Sequence, residues 1–345
     1  MSILFIGDPH FKLDNILETN NFVIALDNLL VSRSKDVDYI VVLGDILHNH
    51  EKLHTQCLNQ AMDFFKMLLS HRPVYCLVGN HDAINNSIFL TEDHWLNILK
   101  GWSNITIVDK VHLLQINKSN IILCPYVPDG RLIEALNTLE TDFKKVDLVV
   151  CHQLLDGVKM GPIVANNVEK WEESFPFCIS GHIHDKQRPQ PNLFYVGSAL
   201  QIAFGESSDK IIFIYNVETK EEEEIDLGLS RKEILYINIE DLDKLEYKIN
   251  KKDDTQLKIV IKGDASECKS LKNSALIKEL SKKHNIKNIQ FKETKQEKKP
   301  KTEEKSFELL LRNKIMSKND PYLLSLADHL LIGGDDISDK DVFII

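Results

Sequence analysis

Apolar residues fall in short runs that each stop at a polar, chemistry-bearing turn. Ser2 to Ile6 runs into Asp8-Pro9-His10, Tyr39 to Leu43 into Gly44-Asp45-Ile46-Leu47-His48, and Val74 to Val78 into Gly79-Asn80-His81-Asp82. Asp147 to Cys151 ends at His152, and Phe177 to Ser180 at Gly181-His182-Ile183-His184. Short unbroken apolar runs bounded by Gly and Pro read as buried strands. Ile16, Val23, Leu26 and Leu30 recur at helical spacing between the first two runs, as do Leu58, Ala61, Phe65 and Leu68 before Pro73. Trp95, Ile98 and Leu99 suggest a further helix. From Ile105 the pattern changes: Ile105 to Val108, Val111 to Ile116 and Asn120 to Cys124 read as successive strands. A helix over about 130–144 precedes Asp147. Leu193 to Val196 and Ile211 to Val217 add strands, and Glu221 to Glu224 reads as a solvated turn or edge strand. Two β-α halves joined by consecutive strands predict two stacked sheets flanked by helices, a four-layer αββα sandwich of the α/β class over residues 1–228.

A new pattern follows. Leu235, Ile237 and Ile239 alternate, as do Leu257, Ile259 and Ile261, and Leu271 to Lys283 looks helical before a strand from Ile286 to Phe291. We read 229–291 as a small α/β capping domain. Residues 292–306 alternate Lys and Glu around Pro300 and read as a solvated charged linker. Apolar stripes at helical spacing in 307–333 (Phe307, Leu310, Leu311, Ile315, then Tyr322, Leu323, Leu326, Leu330, Leu331) form a helical tail that cannot bury itself alone. Residues 334–345 are an acidic tail.

Composition narrows the function. A net charge of −10 over 345 residues argues against gripping nucleic acid by bulk positive charge, so a DNA substrate would need metals and a partner. The six cysteines lack CxxC pairs, and most sit in or beside apolar runs, as small core residues of a reducing compartment do. No apolar run approaches the ~20 residues of a membrane span. The expectation is an intracellular, soluble protein of cytoplasm or nucleus, without membrane contact.

The five turns carry the chemistry. Open α/β sheets collect ligands beyond the carboxyl ends of their strands, where all five would lie. Aspartates, an asparagine and histidines make the oxygen and imidazole mixture that suits two close divalent ions. Asp45 is the candidate carboxylate shared by both ions; Asp8, His10 and His184 would complete one site, and Asn80, His152 and His182 the other. His81 is then free for the substrate, stabilising the transition state or giving a proton to the leaving group, with Asp82 fixing its tautomer. His48 is placed to touch substrate phosphate or nucleotide. One histidine after a strand is an ordinary surface residue; five such turns in series are not. His50, His54, His71, His94, His112, His284 and His329 lack this context and read as surface or structural.

In this order DxH, GDxx, GNHD, a lone His and GHxH, the chain resembles the calcineurin-like metallophosphoesterases. Gly44-Asp45-Ile46-Leu47-His48, with no arginine where protein phosphatases carry GDxVDRG, is similar to the SbcD and meiotic-recombination (Mre-type) DNA repair nucleases and their phage and viral relatives. So is Tyr195 to Glu206, after the last metal motif. The resemblance covers roughly residues 1 to 217. It implies a Mn²⁺-dependent DNA exonuclease or endonuclease, with Mg²⁺ as the alternative ion, acting in double-strand-break repair, recombination or replication. It also implies an SbcC/Rad-type coiled-coil ATPase docking through about 307–331, which alone would use ATP, and a homodimer. Met62 and Met67, off the buried stripe of their helix, read either as part of a dimer contact, through helices around 56–70 and 91–100, or as the extra apolar surface of a helix buried in a thick core. The competing readings are a phosphoesterase acting on nucleotides or phosphoproteins, and a scaffold that has lost catalysis.

Overall fold

The computed structural model describes residues 1–50, 52–245, 249, 255–272, 274, 277–279, 286–293 and 314. The chain opens with β1 (Ser2–Ile6), α1 (Ile16–Ser32), β2 (Tyr39–Val42), α2 (Thr55–His71), β3 (Val74–Leu77) and β4 (Ile105–Val108), the four strands pairing side by side in parallel. It then crosses to a second sheet through β5 (His112–Ile116), β6 (Ser119–Leu123), α3 (Leu132–Leu136) and β7 (Leu148–Cys151). A small ribbon, β8 (Lys159–Met160) and β9 (Ile163–Val164), precedes β10 (Phe177–Ser180), β11 (Gln187–Gln190) and β12 (Leu193–Tyr195). The chain returns to the first sheet with β13 (Ile212–Asn216), antiparallel to β1, and the edge strand β14 (Glu222–Ile225). The strand orders are β14-β13-β1-β2-β3-β4 and β11-β12-β10-β7-β6-β5.

The αββα sandwich follows from strands that are apolar on both faces. In β2 and the residue after it, Ile40 and Val42 face the layer with Phe22, Leu26, Phe64 and Phe65 of α1 and α2. Val41 and Leu43 face the other way, into the inter-sheet core with Phe5, Val150, Ile179 and Phe213. The outer face of the second sheet is covered by α3 and the loops around Trp171. Alternation across two packed faces is why these runs carry no polar positions. All six cysteines are buried and free. No helix of the described residues is long and apolar enough to cross a membrane.

A separate parallel sheet holds β15 (Lys232–Asn238), β16 (Gln256–Gly263), α4 (Ala265–Lys272) and β17 (Ile286–Glu293) around Ile237, Leu257, Ile259 and Ile261.

Several local expectations change. The helix expected over 130–144 is only the five residues of α3, followed by a 3₁₀ turn at Phe143–Lys145. Asn137, Thr138, Thr141 and Asp142 favour caps and turns, and the Asp142 carboxylate caps that turn by accepting from Lys144 N at 3.1 Å. The helix around 91–100 is likewise a 3₁₀ turn, Trp95–Leu99. α4 begins earlier than the helix read from Leu271, because Asp264 accepts from Ser266 N and Glu267 N at 2.9 Å each and caps it. β17 extends to Glu293, into the stretch read as linker. Met62 and Met67 pack half-buried on the chain's own core, whereas Leu17, Ile24 and Val31 of α1 stand 63%, 59% and 63% exposed. The rest of the linker, the helical tail apart from residue 314, and the acidic tail lie outside the described residues, as do His284 and His329.

Candidate metal centre

The carboxyl ends of β1, β2, β3, β7 and β10 bring the five turns together. Gly44, at φ +109°, lets the chain turn sharply out of β2 and pass close to the His152 ring. At Gly79 a Cβ would overlap the Asp45 carboxylate, so only glycine fits. Among the described residues, four of the nine non-glycine residues with positive φ are Asp8, His10, Asp45 and His182. Each such backbone costs about 1–3 kcal/mol, and this concentration of strain marks a built site.

The expected ligands converge. Asp45 Oδ2 lies 3.5 Å from His10 Nε2 and 3.4 Å from His152 Nε2, between the two groups, while Oδ1 accepts from His81 N at 2.8 Å. On one side His10 Nε2 and His184 Nε2 are 3.0 Å apart. On the other, Asn80 Oδ1 is 3.0 Å from His152 Nε2 and 2.8 Å from His182 Nδ1. Two tautomers are set by outer partners: His152 Nδ1 donates to Leu43 O at 2.7 Å and His184 Nδ1 to Glu206 Oε1 at 3.0 Å, so both Nε2 atoms point inward. Asp8 Oδ1 accepts from His182 N at 3.2 Å, but Asp8 Oδ2 is buried with no partner. An orphaned buried carboxylate oxygen among inward-facing imidazole nitrogens fits a divalent cation on the Asp8, His10, His184 side. The Asp45, His152, His182 group is the matching arrangement on the other, with one ligand atom each within 4.8 Å.

Burial and neighbouring charges set the protonation. Burial, partly offset by His152, pushes the Asp8 carboxyl up to about 6. Although burial opposes ionisation of Asp45, the imidazoles of His152 and His10 hold it well below the usual carboxylate range. His152 goes the other way: despite burial, Asp45 raises it to about 9. Burial and His152 push His182 down to about 3. Without metal, His152 therefore holds a proton at neutral pH where an ion would sit. Metal uptake must expel it, so affinity should rise with pH up to about 9, by about ten-fold per unit from His152 alone, and more steeply at lower pH where His184, raised by Glu206 and Asp8 against its burial, and then Asp8 also protonate. Calorimetry in buffers of different ionisation enthalpy should read at least about one proton released near pH 7.5; no buffer dependence would remove His152 from the ligand set.

His81 and His48 sit against this centre. His81 Nδ1 donates to His48 O at 2.6 Å, leaving Nε2 free, and its ring lies 4.9 Å from that of His10. His48 Nδ1 is 3.4 Å from His10 Nδ1, and burial together with Lys12 pushes His48 down to about 4. His48 is thus neutral at pH 7 and meets a phosphate by hydrogen bonding, not by charge. Asp82 does not touch His81. Its Oδ1 accepts from Ile46 N at 3.1 Å and Trp95 Nε1 at 2.9 Å, and its Oδ2 from Gly79 N at 3.1 Å. It ties the loops after β2 and β3 together, and the tautomer role expected of it belongs to the His48 carbonyl.

Three neighbours had no role in the sequence reading. Glu206 orients His184, and its place in the Tyr195 to Glu206 segment was the available signal. His50 stacks on His81 with centroids 4.4 Å apart, and only its two-residue spacing from His48 hinted at it. Tyr126 packs 5.8 Å from His182, and no motif marks it. Other histidines serve locally: His71 meets Asp27 at 2.7 Å, His94 meets Asp109 at 3.2 Å, and His54 caps α2.

A family model described as calcineurin-like phosphoesterase matches residues 1–186. "Putative phosphoesterase 078R" of Invertebrate iridescent virus 3 is 43% identical over 284 residues, spanning 81% of this chain and 81% of the relative. "Putative phosphoesterase 244L" of Invertebrate iridescent virus 6 is 41% identical over 284 residues, spanning 80% of this chain and 98% of the relative.

Proposed function

We propose that this chain, which belongs to the calcineurin-like phosphoesterase family, cleaves DNA phosphodiester bonds as a Mn²⁺-dependent exonuclease or endonuclease. The observation that carries the reading is His48. It is turned onto the centre beside His10 and lends its carbonyl to His81, at the position where the Gly44 to His48 motif resembles repair nucleases and lacks the phosphatase arginine. Asp8, His10, Asp45 and His184 would hold one divalent ion, and Asp45, Asn80, His152 and His182 the other. Bound ions would neutralise charge on the phosphoryl oxygens and activate the attacking water.

The remaining steps belong to side chains. Asp45 supplies the shared negative charge. Leu43 O and Glu206 keep the imidazoles of His152 and His184 in the tautomer that faces inward. His81 presents Nε2 to the leaving oxygen; burial lowers its pKa, and Asp45 and the His48 carbonyl on Nδ1 limit that fall, which keeps within reach the protonated ring that can give a proton there.

The same reading includes an SbcC/Rad-type ATPase docking through about 307–331, and a homodimer. Leu17, Ile24 and Val31 recur every seven residues on one face of α1, and their exposure supports a contact between copies. Sedimentation at micromolar concentration should read a dimer; monomer alone would remove it from the reading.

The deciding experiment incubates purified protein with end-labelled linear duplex and single-stranded DNA, with Mn²⁺, Mg²⁺ or EDTA, beside a chromogenic phosphodiester. Manganese-dependent DNA degradation is expected. Turnover of the small diester without DNA cleavage, in the presence of the co-expressed ATPase, would favour a nucleotide or phosphoprotein substrate.

A further inference from the structure

We propose that the cleft between the αββα sandwich and the small parallel sheet is a second anion site, built to hold a phosphate monoester at the end of a nucleotide strand. The cleft is about 580 Å³, within the size range of ligand sites. Lys12, Lys232, Lys258 and Lys287 line it together with Asp14 and Glu18. Four lysines against two carboxylates leave an excess of two positive charges, the charge of a monoester dianion; an internal phosphodiester carries one.

Geometry sharpens this. Lys12 Nζ and Lys232 Nζ both donate to one acceptor, the carbonyl of Ile202, at 3.1 and 3.2 Å. Two ammonium groups on one neutral oxygen repel each other, and Lys232 is only 8% exposed. Burial lowers its pKa, Glu18 and Glu206 offset part of that fall and Lys12 adds to it, so a further anion seated against the two ammonium groups would be held favourably. Lys258 has no partner among the described residues, whereas Glu18 is already neutralised by Lys287 at 3.3 Å. Gln256 lines the same cleft, is 4% exposed, and leaves Oε1 buried with no hydrogen bond. A buried acceptor without a donor calls for a ligand that carries one, such as a sugar hydroxyl or a base amine. The half-buried Phe204 ring supplies an apolar wall for that sugar or base.

The cleft also abuts the metal centre. Lys12 follows His10 by two residues, and the Ile202 to Glu206 turn that forms one wall carries the Glu206 carboxylate that orients His184. A strand end seated on the lysines would lie next to the bond held at the centre. The inference depends on the DNA reading only for the source of the monoester.

The test is calorimetry on the full chain in EDTA, so that nothing is cleaved. The ligands are a short single-stranded oligonucleotide with a 5′-phosphate, its 3′-phosphorylated isomer, the unphosphorylated twin, and thymidine 5′-monophosphate. One phosphorylated end should bind at least about ten-fold more tightly than the twin. That ratio should fall towards one in Lys232→Gln and, independently of any folding defect at the buried Lys232, in Lys258→Gln. Equal affinities for all the oligonucleotides, no binding by any ligand, or a ratio unchanged in both variants would overturn the proposal. If the ratio persists while the Mn²⁺-loaded enzyme leaves DNA intact, the DNA reading falls alone, and tight binding of the mononucleotide would make free nucleotides the ligand.

Discussion

Asp45→Asn is expected to reduce phosphodiesterase activity by about 10³-fold or more, roughly 4 kcal/mol of transition-state stabilisation, and to weaken both metals together. The amide keeps the shape of the carboxylate and its acceptor for His81 N, so the loops should stay in place. What disappears is the negative charge facing His10 Nε2 and His152 Nε2 from a position only 2% exposed. In so dry a site nothing else supplies that charge to both sides. With it gone, His152 should also titrate lower, because Asp45 is the group that raises it to about 9. Metal stoichiometry by elemental analysis, read beside turnover, checks the claim. Two ions held at wild-type affinity would end the assignment of Asp45 as the shared ligand.

On the proposed function, His81→Ala should leave the metals bound and cut DNA hydrolysis by about 10²–10⁴-fold, the usual contribution of a positioned proton donor. The effect should be much smaller on a chromogenic diester, whose leaving group needs no proton. Burial lowers the His81 pKa below its ordinary value, with Asp45 and the His48 carbonyl working against that fall. An acid must be protonated to act, so His81-dependent turnover should decline as pH rises through that lowered value, and the alanine variant should lose this limb. Stoichiometry matters here because His10, His48 and His81 also bring one nitrogen each within 4.8 Å. Loss of an ion in the variant would make His81 a ligand.

The sequence alone determined the strands, their apolar faces and the turns that follow them, because a strand buried on both sides writes its burial as an unbroken apolar run. It therefore determined the sandwich and which residues gather at the candidate site, since nearly every one of them sits directly behind such a run. Helix lengths were less legible: between residues 130 and 144 a single cap at Asp142 outweighed a weak periodicity, and at α4 another at Asp264 moved the start. Asp82 was misread because adjacency in sequence says nothing about direction. Its carboxylate turns back to Gly79 N and Ile46 N, where buried amides need an acceptor, and away from His81.

Which side chains share one space follows from how the elements pack. Glu206 reaches His184 and His50 lies flat on His81 because separate loops fold onto one sheet edge. Lys12 and Lys232 are 220 residues apart in the chain, yet they meet at the Ile202 carbonyl because the small sheet packs beside the turn after β1. Local patterns report which face of an element is buried. The convergence of charges and acceptors across distant elements depends on how those faces pack, and no local pattern encodes it.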